Sequence, residues 1–297
     1  MQTLWGIDLG GTKIEGAVIP AAGGEALCRL RIDTEQQGGY EHILGRIGKL
    51  VDQMSEESEL ARPDAIGLAM PGTTEPSTGL MKNANTVCLI GKPLIRDLSR
   101  LLGCDVVGEN DANCFALAEA ASGAARGSRI VFGVIMGTGV GGGLVIDGKV
   151  VGGHHGIAGE WGHNILVPNG DPCYCGKRGC VETVISGTAL ERWYFERTGH
   201  KKRLREIAAS DEPDARATID RLCDYFGRAL ASVVNTLDPD AVVLGGGVGN
   251  IDALYTRGRE SLREWIFNDR FDAKLVKPEL GDSAGVFGAA FLTRRTA

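Results

Sequence analysis

The chain has 297 residues, of which 43% are hydrophobic and 24% charged, with a formal net charge of -6. That balance suits a globular protein of about two domains. It argues against sequence-independent nucleic-acid binding, which needs a basic face, but leaves room for a phosphorylated ligand held by a few local donors.

The opening stretch MQTLWGIDLGG lacks a basic segment followed by a long apolar run, so no signal peptide is expected. No apolar run approaches the ~20 residues of a membrane helix. A cytoplasmic location without a membrane partner is therefore expected. In that compartment the eight cysteines read as thiols or metal ligands ahead of disulfides. Cys28, Cys88, Cys104, Cys114 and Cys223 stand singly and read as small buried residues.

Taken in chain order, LWGIDLGGTKIEGAVI predicts strand, glycine turn and strand. YEHILGRIGKLVDQMSEESEL has helical spacing, PDAIGLAMPG is a short buried strand, and GKPLIRDLSRLLG is a helix ending at Gly103. CDVVGEND is a strand with polar residues at its end, followed by the helix ANCFALAEAASG. VFGVIMGTGVGGGLVI then repeats the opening pattern, aligning Gly6 with Gly133, Gly10 with Gly137, Gly16 with Gly143 and Ile19 with Ile146. The match suggests an internal repeat, with two unrelated hairpins as the alternative. Helices follow around 187–198 and 214–237, then the strand DAVVLGGG, a helix near 252–267 and a final helix GVFGAAFLTRR. Such alternation predicts an α/β protein with layered mixed sheets. A domain change is expected near 115–130, with a small ligand in the cleft between domains.

Gly137-x-Gly139-x-x-Gly142 has the spacing of a dinucleotide fingerprint, but a second strand follows where that fingerprint needs a helix. The two hairpin tips are instead nearly all backbone, so their N–H groups can approach a polyphosphate from two sides. Gly10, Gly11, Gly137 and Gly139 form the tips. Thr12 and Thr138 add hydroxyls and Lys13 a charge, while Asp8 is placed to hold Mg²⁺ through water. LGGGVGN, with Gly246 and Gly247, is a third glycine turn suited to adenine and ribose.

GIDLGGTK, GTGVGGG and LGGGVGN together resemble the sugar kinase/actin/Hsp70 fold. The block IMGTGVGGGLVIDGKVVGGHHGIAGEWGH resembles the signature of the ROK family of repressors, open reading frames and sugar kinases, and the likeness runs along essentially the whole chain. Within that family, KNANT, GKPLIRDLS, NDANCFALAEA, PCYCGKRGC, ISGT and LDPDAVVLGGG look like the proteobacterial fructokinase (mannofructokinase) type. The resemblance implies a two-domain α/β fold of the ribonuclease H-like kind, with duplicated mixed sheets and an interdomain cleft. Residues 1–118 would form the first domain and 119–284 the second, with a helix over 285–297 returning to the first. It also implies ATP-dependent phosphorylation of a hexose 6-hydroxyl, with fructose expected first and glucose, mannose or an N-acetylhexosamine as alternatives. A homodimer is the family's usual assembly.

Phosphoryl transfer to an alcohol needs a carboxylate to take the hydroxyl proton. Asp111 in GEND reads either as that base or as the cap of the helix that follows; the family resemblance assigns it as the base. It likewise implies that Asn85, Asn110, Glu160, His163 and Glu182 bind sugar. Many family members carry tryptophan or a small residue where Cys88 stands, a departure that bears on the shape of the sugar pocket. Cys173-x-Cys175-x4-Cys180 with His163 offers three thiolates and one imidazole, a closed tetrahedral shell for structural Zn²⁺ with no position for a reactive water. His154 and His155 read as loop residues. A sugar-responsive regulator would need a helix-turn-helix, and five residues before GIDLGG hold none. An actin-like or chaperone ATPase would not account for the zinc knuckle, GEWGH or GEND.

Overall fold

A computed structural model describes residues 2–294. Its first two strands, Thr3–Leu9 and Lys13–Pro20, pair antiparallel around the tip Gly10–Thr12, bringing Asp8 opposite Glu15. The strands hold together because their side chains are buried almost without interruption. The chain divides into two units. One comprises Met1–Arg126, Gly148–Ala158 and Leu280–Ala297, and the other Gly127–Asp147 and Gly159–Glu279.

In the first unit five strands run in the spatial order Cys28–Asp33, Lys13–Pro20, Thr3–Leu9, Ala65–Met70 and Asp105–Asn110. The first three are antiparallel and the last two continue in parallel from Thr3–Leu9. Trp5, Ile7 and Leu9 alternate onto one face. There they meet Ile43, Ile47, Leu50 and Met54 of helix Tyr40–Ser58 and Leu94 and Leu98 of helix Leu94–Leu102. The period of the helices supplies one apolar stripe each, which is why the sequence expectation and the structure agree closely here. Gly103 ends the second helix in the left-handed region at φ 69°.

The opposite face carries Gly6 and Gly67, neighbours in register, beneath the helix Ala284–Phe291. A Cβ on Gly67 would overlap the Ala289 carbonyl, and one on Gly6 the Val286 carbonyl, so this helix lies with its backbone directly on the sheet. The same helix packs against Asp111–Ser122, with Ala69, Cys114 and Ala289 in a small shared core. The helix expected over 285–297 ends at Phe291, and the last three positions of that span lie outside the described residues.

In the second unit the strands Val140–Ile146, Ile130–Met136, Ala241–Gly245 and Lys274–Val276 follow one another in that order. Again an antiparallel hairpin leads and parallel strands extend it. The mixed α/β sheets expected from the sequence are thus present twice, in the same pattern. Helix Pro213–Leu237 packs on Arg257–Trp265, with Phe226 against Gly258 and Gly227 against Leu262. The expected helix near 252–267 is broken into a 3₁₀ turn, Asp252–Leu254, and that later helix. Among the described residues no helix is long and apolar enough to cross a membrane, and none of the eight cysteines forms a disulfide.

Candidate functional site

The first hairpin tip is held from one side. The Thr34 hydroxyl donates to the Gly10 carbonyl at 2.7 Å, and its N–H donates to the Thr12 carbonyl at 2.9 Å. Thr12 and Lys13 at the tip are exposed. Thr86, beside the exposed Asn85, is buried with its hydroxyl unpaired among the described residues. That hydroxyl lies 3.6 Å from where a Gly11 Cβ would be, an unmatched polar group at the hairpin tip that sequence reasoning passed over. The motif KNANT contains it, but nothing in the spacing marks its burial.

Asp8 sits half-buried at the base of this hairpin, on the face that carries the helix Ala284–Phe291. A Cβ on Gly285 would overlap its carboxylate. Burial first, then the negative charges of Asp111 and Glu15, push Asp8 up to about 7, against a downward pull from Arg31. Glu15 itself is buried and ion-paired with Arg29 and Arg31. Two carboxylates felt by one another in a desolvated corner fit a divalent cation, whose charge would relieve both.

Asn110 and Asp111 stand where the strand Asp105–Asn110 becomes the helix Asp111–Ser122. The helix cap is Asn110: its Oδ1 accepts from the Ala112 N–H at 2.9 Å and its Nδ2 donates to the Gly72 carbonyl at 3.3 Å. Asp111 is the first helical residue, exposed, with Oδ1 accepting from the same Ala112 N–H at 2.8 Å. Glu109 fixes the corner, accepting from the Asn110 N–H at 2.8 Å and the Asn113 amide at 3.1 Å.

In the second unit the hairpin tip Gly137–Gly139 is staked at three points. Glu182 Oε2 accepts from the Val140 N–H at 2.9 Å, the Gly187 N–H donates to the Gly137 carbonyl at 2.8 Å, and the Thr188 hydroxyl donates to the Thr138 carbonyl at 2.7 Å. A side chain on Gly139 would overlap the Glu182 carboxylate. Beside this tip is a cavity of about 410 Å³, lined among others by Thr138, Leu204, Arg205, Gly247 and Ile251. Gly246, at φ 77°, turns the chain against the Met136 carbonyl, where a Cβ would not fit. The cavity has the size and the apolar-with-polar lining of a small-ligand pocket.

GEWGH is tied to the second strand of this hairpin by Trp161, whose Nε1 donates to the Gly141 carbonyl at 2.9 Å while its ring meets Phe132 edge-on at 6.0 Å. The turn sets Glu160 Oε2 3.9 Å from His163 Nε2. His163, Cys173, Cys175 and Cys180 bring one donor atom each to within 4.8 Å of one another. Cys173 Sγ lies 3.6 Å from His163 Nδ1, and Cys175 Sγ 3.6 Å from Cys180 Sγ. Tetrahedral zinc with ordinary bond lengths requires about 3.6 Å and about 3.8 Å for those pairs, so the four donors fit the ion. Burial, then hydrogen bonds with Cys175 and Cys173, push the Cys180 thiol up to about 12, so a bound cation would favour its thiolate. The free ring nitrogen of His163 meets the Tyr174 hydroxyl at 3.0 Å, a residue absent from the expected site.

The duplicated mixed sheets, each opening on a glycine hairpin, define the sugar kinase/actin/Hsp70 class of fold. The ROK family pattern matches residues 4–296, and the chain belongs to the ROK family. It is 38% identical over 302 residues to the N-acetyl-D-glucosamine kinase of Vibrio atlanticus (strain LGP32), covering 97% of this chain and 98% of that protein. Among solved structures it is similar to the ROK hexokinase from Thermus thermophilus, with a TM-score of 0.86, 34% identity and coverage of 98% and 97% of the two chains. It is also similar to a ROK glucokinase from Streptomyces griseus in complex with glucose and AMPPNP, with a TM-score of 0.81, 30% identity and coverage of 99% and 100%.

Proposed function

We propose that the protein is a cytoplasmic ATP-dependent sugar kinase that phosphorylates the 6-hydroxyl of N-acetyl-D-glucosamine. The relative at 38% identity across almost the entire chain supports that sugar. Fructose, expected from the motif resemblance, has no support among the relatives described above, and N-acetyl-D-glucosamine takes its place.

The chemistry rests on one observation. At the GEND corner Asn110 Oδ1 and Asp111 Oδ1 both accept from the Ala112 N–H, which fixes the Asp111 carboxyl at the exposed start of the helix. Asp111 accepts the proton of the sugar hydroxyl as that oxygen bonds to the γ-phosphorus, while the bond from γ-phosphorus to the β,γ-bridging oxygen breaks and ADP leaves. Asn85, Asn110, Glu160, His163 and Glu182 orient the sugar. The amides of Gly10, Gly11, Gly137 and Gly139, with Thr12, Thr138 and Lys13, bind phosphate oxygens. The second-unit cavity, with Gly246 and Gly247 at its turn, takes adenosine. Asp8 would hold Mg²⁺ through water, and the ion supplies positive charge to the transferring phosphoryl group. His163, Cys173, Cys175 and Cys180 would hold zinc, which ties the knuckle and performs no step.

A coupled ADP-release assay over N-acetylglucosamine, N-acetylmannosamine, glucose, mannose and fructose tests this reading, with Asp111→Asn as control. The expected result is fastest turnover of N-acetylglucosamine and a roughly 10³-fold lower kcat in the variant. Preference for fructose would remove the proposed substrate, and equal rates in variant and wild type would remove the base.

A further inference from the structure

The zinc knuckle carries a side chain that the proposed reaction does not use. Tyr174 lies between two of the cysteine donors, and with 76% of its surface exposed it has little packing to hold it. Its ring stands edge-on to His163 at 5.1 Å and 87°, and its hydroxyl lies 3.0 Å from Nε2. Cys173 Sγ approaches the other nitrogen, Nδ1. A metal on Nδ1 leaves the proton on Nε2, so the imidazole donates and the Tyr174 oxygen accepts. The carboxylate of Glu160 is the next polar group, 3.9 Å from the same nitrogen. The Nε2 donor of His163 is therefore occupied by a group from its own chain at hydrogen-bond distance.

We propose that Tyr174 is an affinity-setting residue of the sugar site, whose hydroxyl occupies the His163 Nε2 position and has to be displaced before a sugar hydroxyl can take it. This rests on the reading of His163 as a sugar contact. Displacement is feasible because the ring swings into solvent without opening a core. The cost appears as weaker apparent sugar binding, since only the fraction of molecules with the nitrogen free is competent. A neutral hydrogen bond of ordinary net strength makes that a factor of about three to ten.

The test compares wild type with Tyr174→Phe, which keeps the ring and removes the hydroxyl. Steady-state kinetics with N-acetylglucosamine are paired with calorimetric sugar binding in the absence of nucleotide and with a zinc determination. The expected result is a sugar KM and Kd about threefold to tenfold lower in the variant, with kcat within about twofold, ATP KM unchanged and zinc content equal. Tyr174→Ala should shift the sugar constants in the same direction. A sugar KM unchanged or raised in Tyr174→Phe overturns the proposal, because the hydroxyl then does nothing or contacts sugar directly. Loss of zinc in the variant also overturns it by assigning Tyr174 to the knuckle. Absence of sugar turnover and sugar binding in wild type is a separate outcome, which removes the proposed function and this inference with it.

Discussion

The two glycine hairpins share a backbone plan and differ in what stands behind them. Each joins two antiparallel strands, and each tip is tied back by a threonine: Thr34 to Gly10 in the first unit, Thr188 to Thr138 in the second. Each also has a carboxylate at its base. In the second hairpin that carboxylate, Glu182, accepts from the Val140 N–H through Oε2 and so braces the tip in addition to its proposed sugar contact. In the first, the Asp8 carboxylate is pushed up to about 7 by burial and by the negative charges of Asp111 and Glu15. The two hairpins share a shape and differ in their carboxylates, one desolvated beside other acids and one accepting from a backbone N–H.

That contrast can be broken at several points. The largest expected effect is at the proposed zinc site of the second unit: treatment with a chelator, or Cys175→Ser, should lower Tm by about 10 °C or more and abolish turnover, as calorimetry and ADP release would show. Asp8→Asn should come next, lowering kcat by about 10²-fold to 10³-fold and raising the Mg²⁺ concentration needed for half-maximal rate, read from a magnesium titration. Glu182→Ala should raise the ATP KM by about tenfold because the Val140 N–H loses a charged acceptor. Glu182→Gln keeps an acceptor and should leave that constant within about threefold. A large ATP effect from Glu182→Gln would mean the carboxylate binds ligand more than it braces the hairpin.

The smallest effect is the pH dependence of stability. Asp8 has a folded value near 7 against an ordinary 3.8, so the folded state holds its proton more tightly than the unfolded chain. Its contribution is therefore full below about 4 and is lost as pH rises through 7. In Mg²⁺-free buffer Tm should fall from pH 5 to pH 8 by more in wild type than in Asp8→Asn, and added Mg²⁺ should restore more stability at pH 8 than at pH 5. Equal slopes in the two proteins would contradict the picture of a desolvated, like-charged Asp8.

Much of this was legible in the sequence where one period dominated. The stripe through Tyr40–Ser58 and the unbroken apolar runs of the leading hairpins identify their elements directly. Cys28–Asp33 was missed although it alternates buried and exposed residues, because charged Arg29 and Arg31 look like loop until Glu15 is seen to pair with them. The cluster of His163, Cys173, Cys175 and Cys180 was legible because metal geometry restricts spacing, and the structure brings one donor atom from each within 4.8 Å of the others, a group able to hold a metal. The assignment of Asn110 as cap, beside Asp111, was not: two adjacent polar residues at a strand end look alike until backbone angles separate them. Tyr174 was invisible for a related reason, since its partner is eleven residues away across a folded knuckle.

The central claim is transfer of phosphate from ATP to one sugar hydroxyl, and product analysis tests it most directly. Wild-type enzyme would be run to completion with Mg-ATP and N-acetylglucosamine, and the products assigned by phosphorus–proton NMR. The account predicts one sugar phosphate per ADP, with phosphorus coupled to the protons on carbon 6. ADP accumulating with inorganic phosphate and no sugar ester, or phosphate on any other hydroxyl, would contradict it.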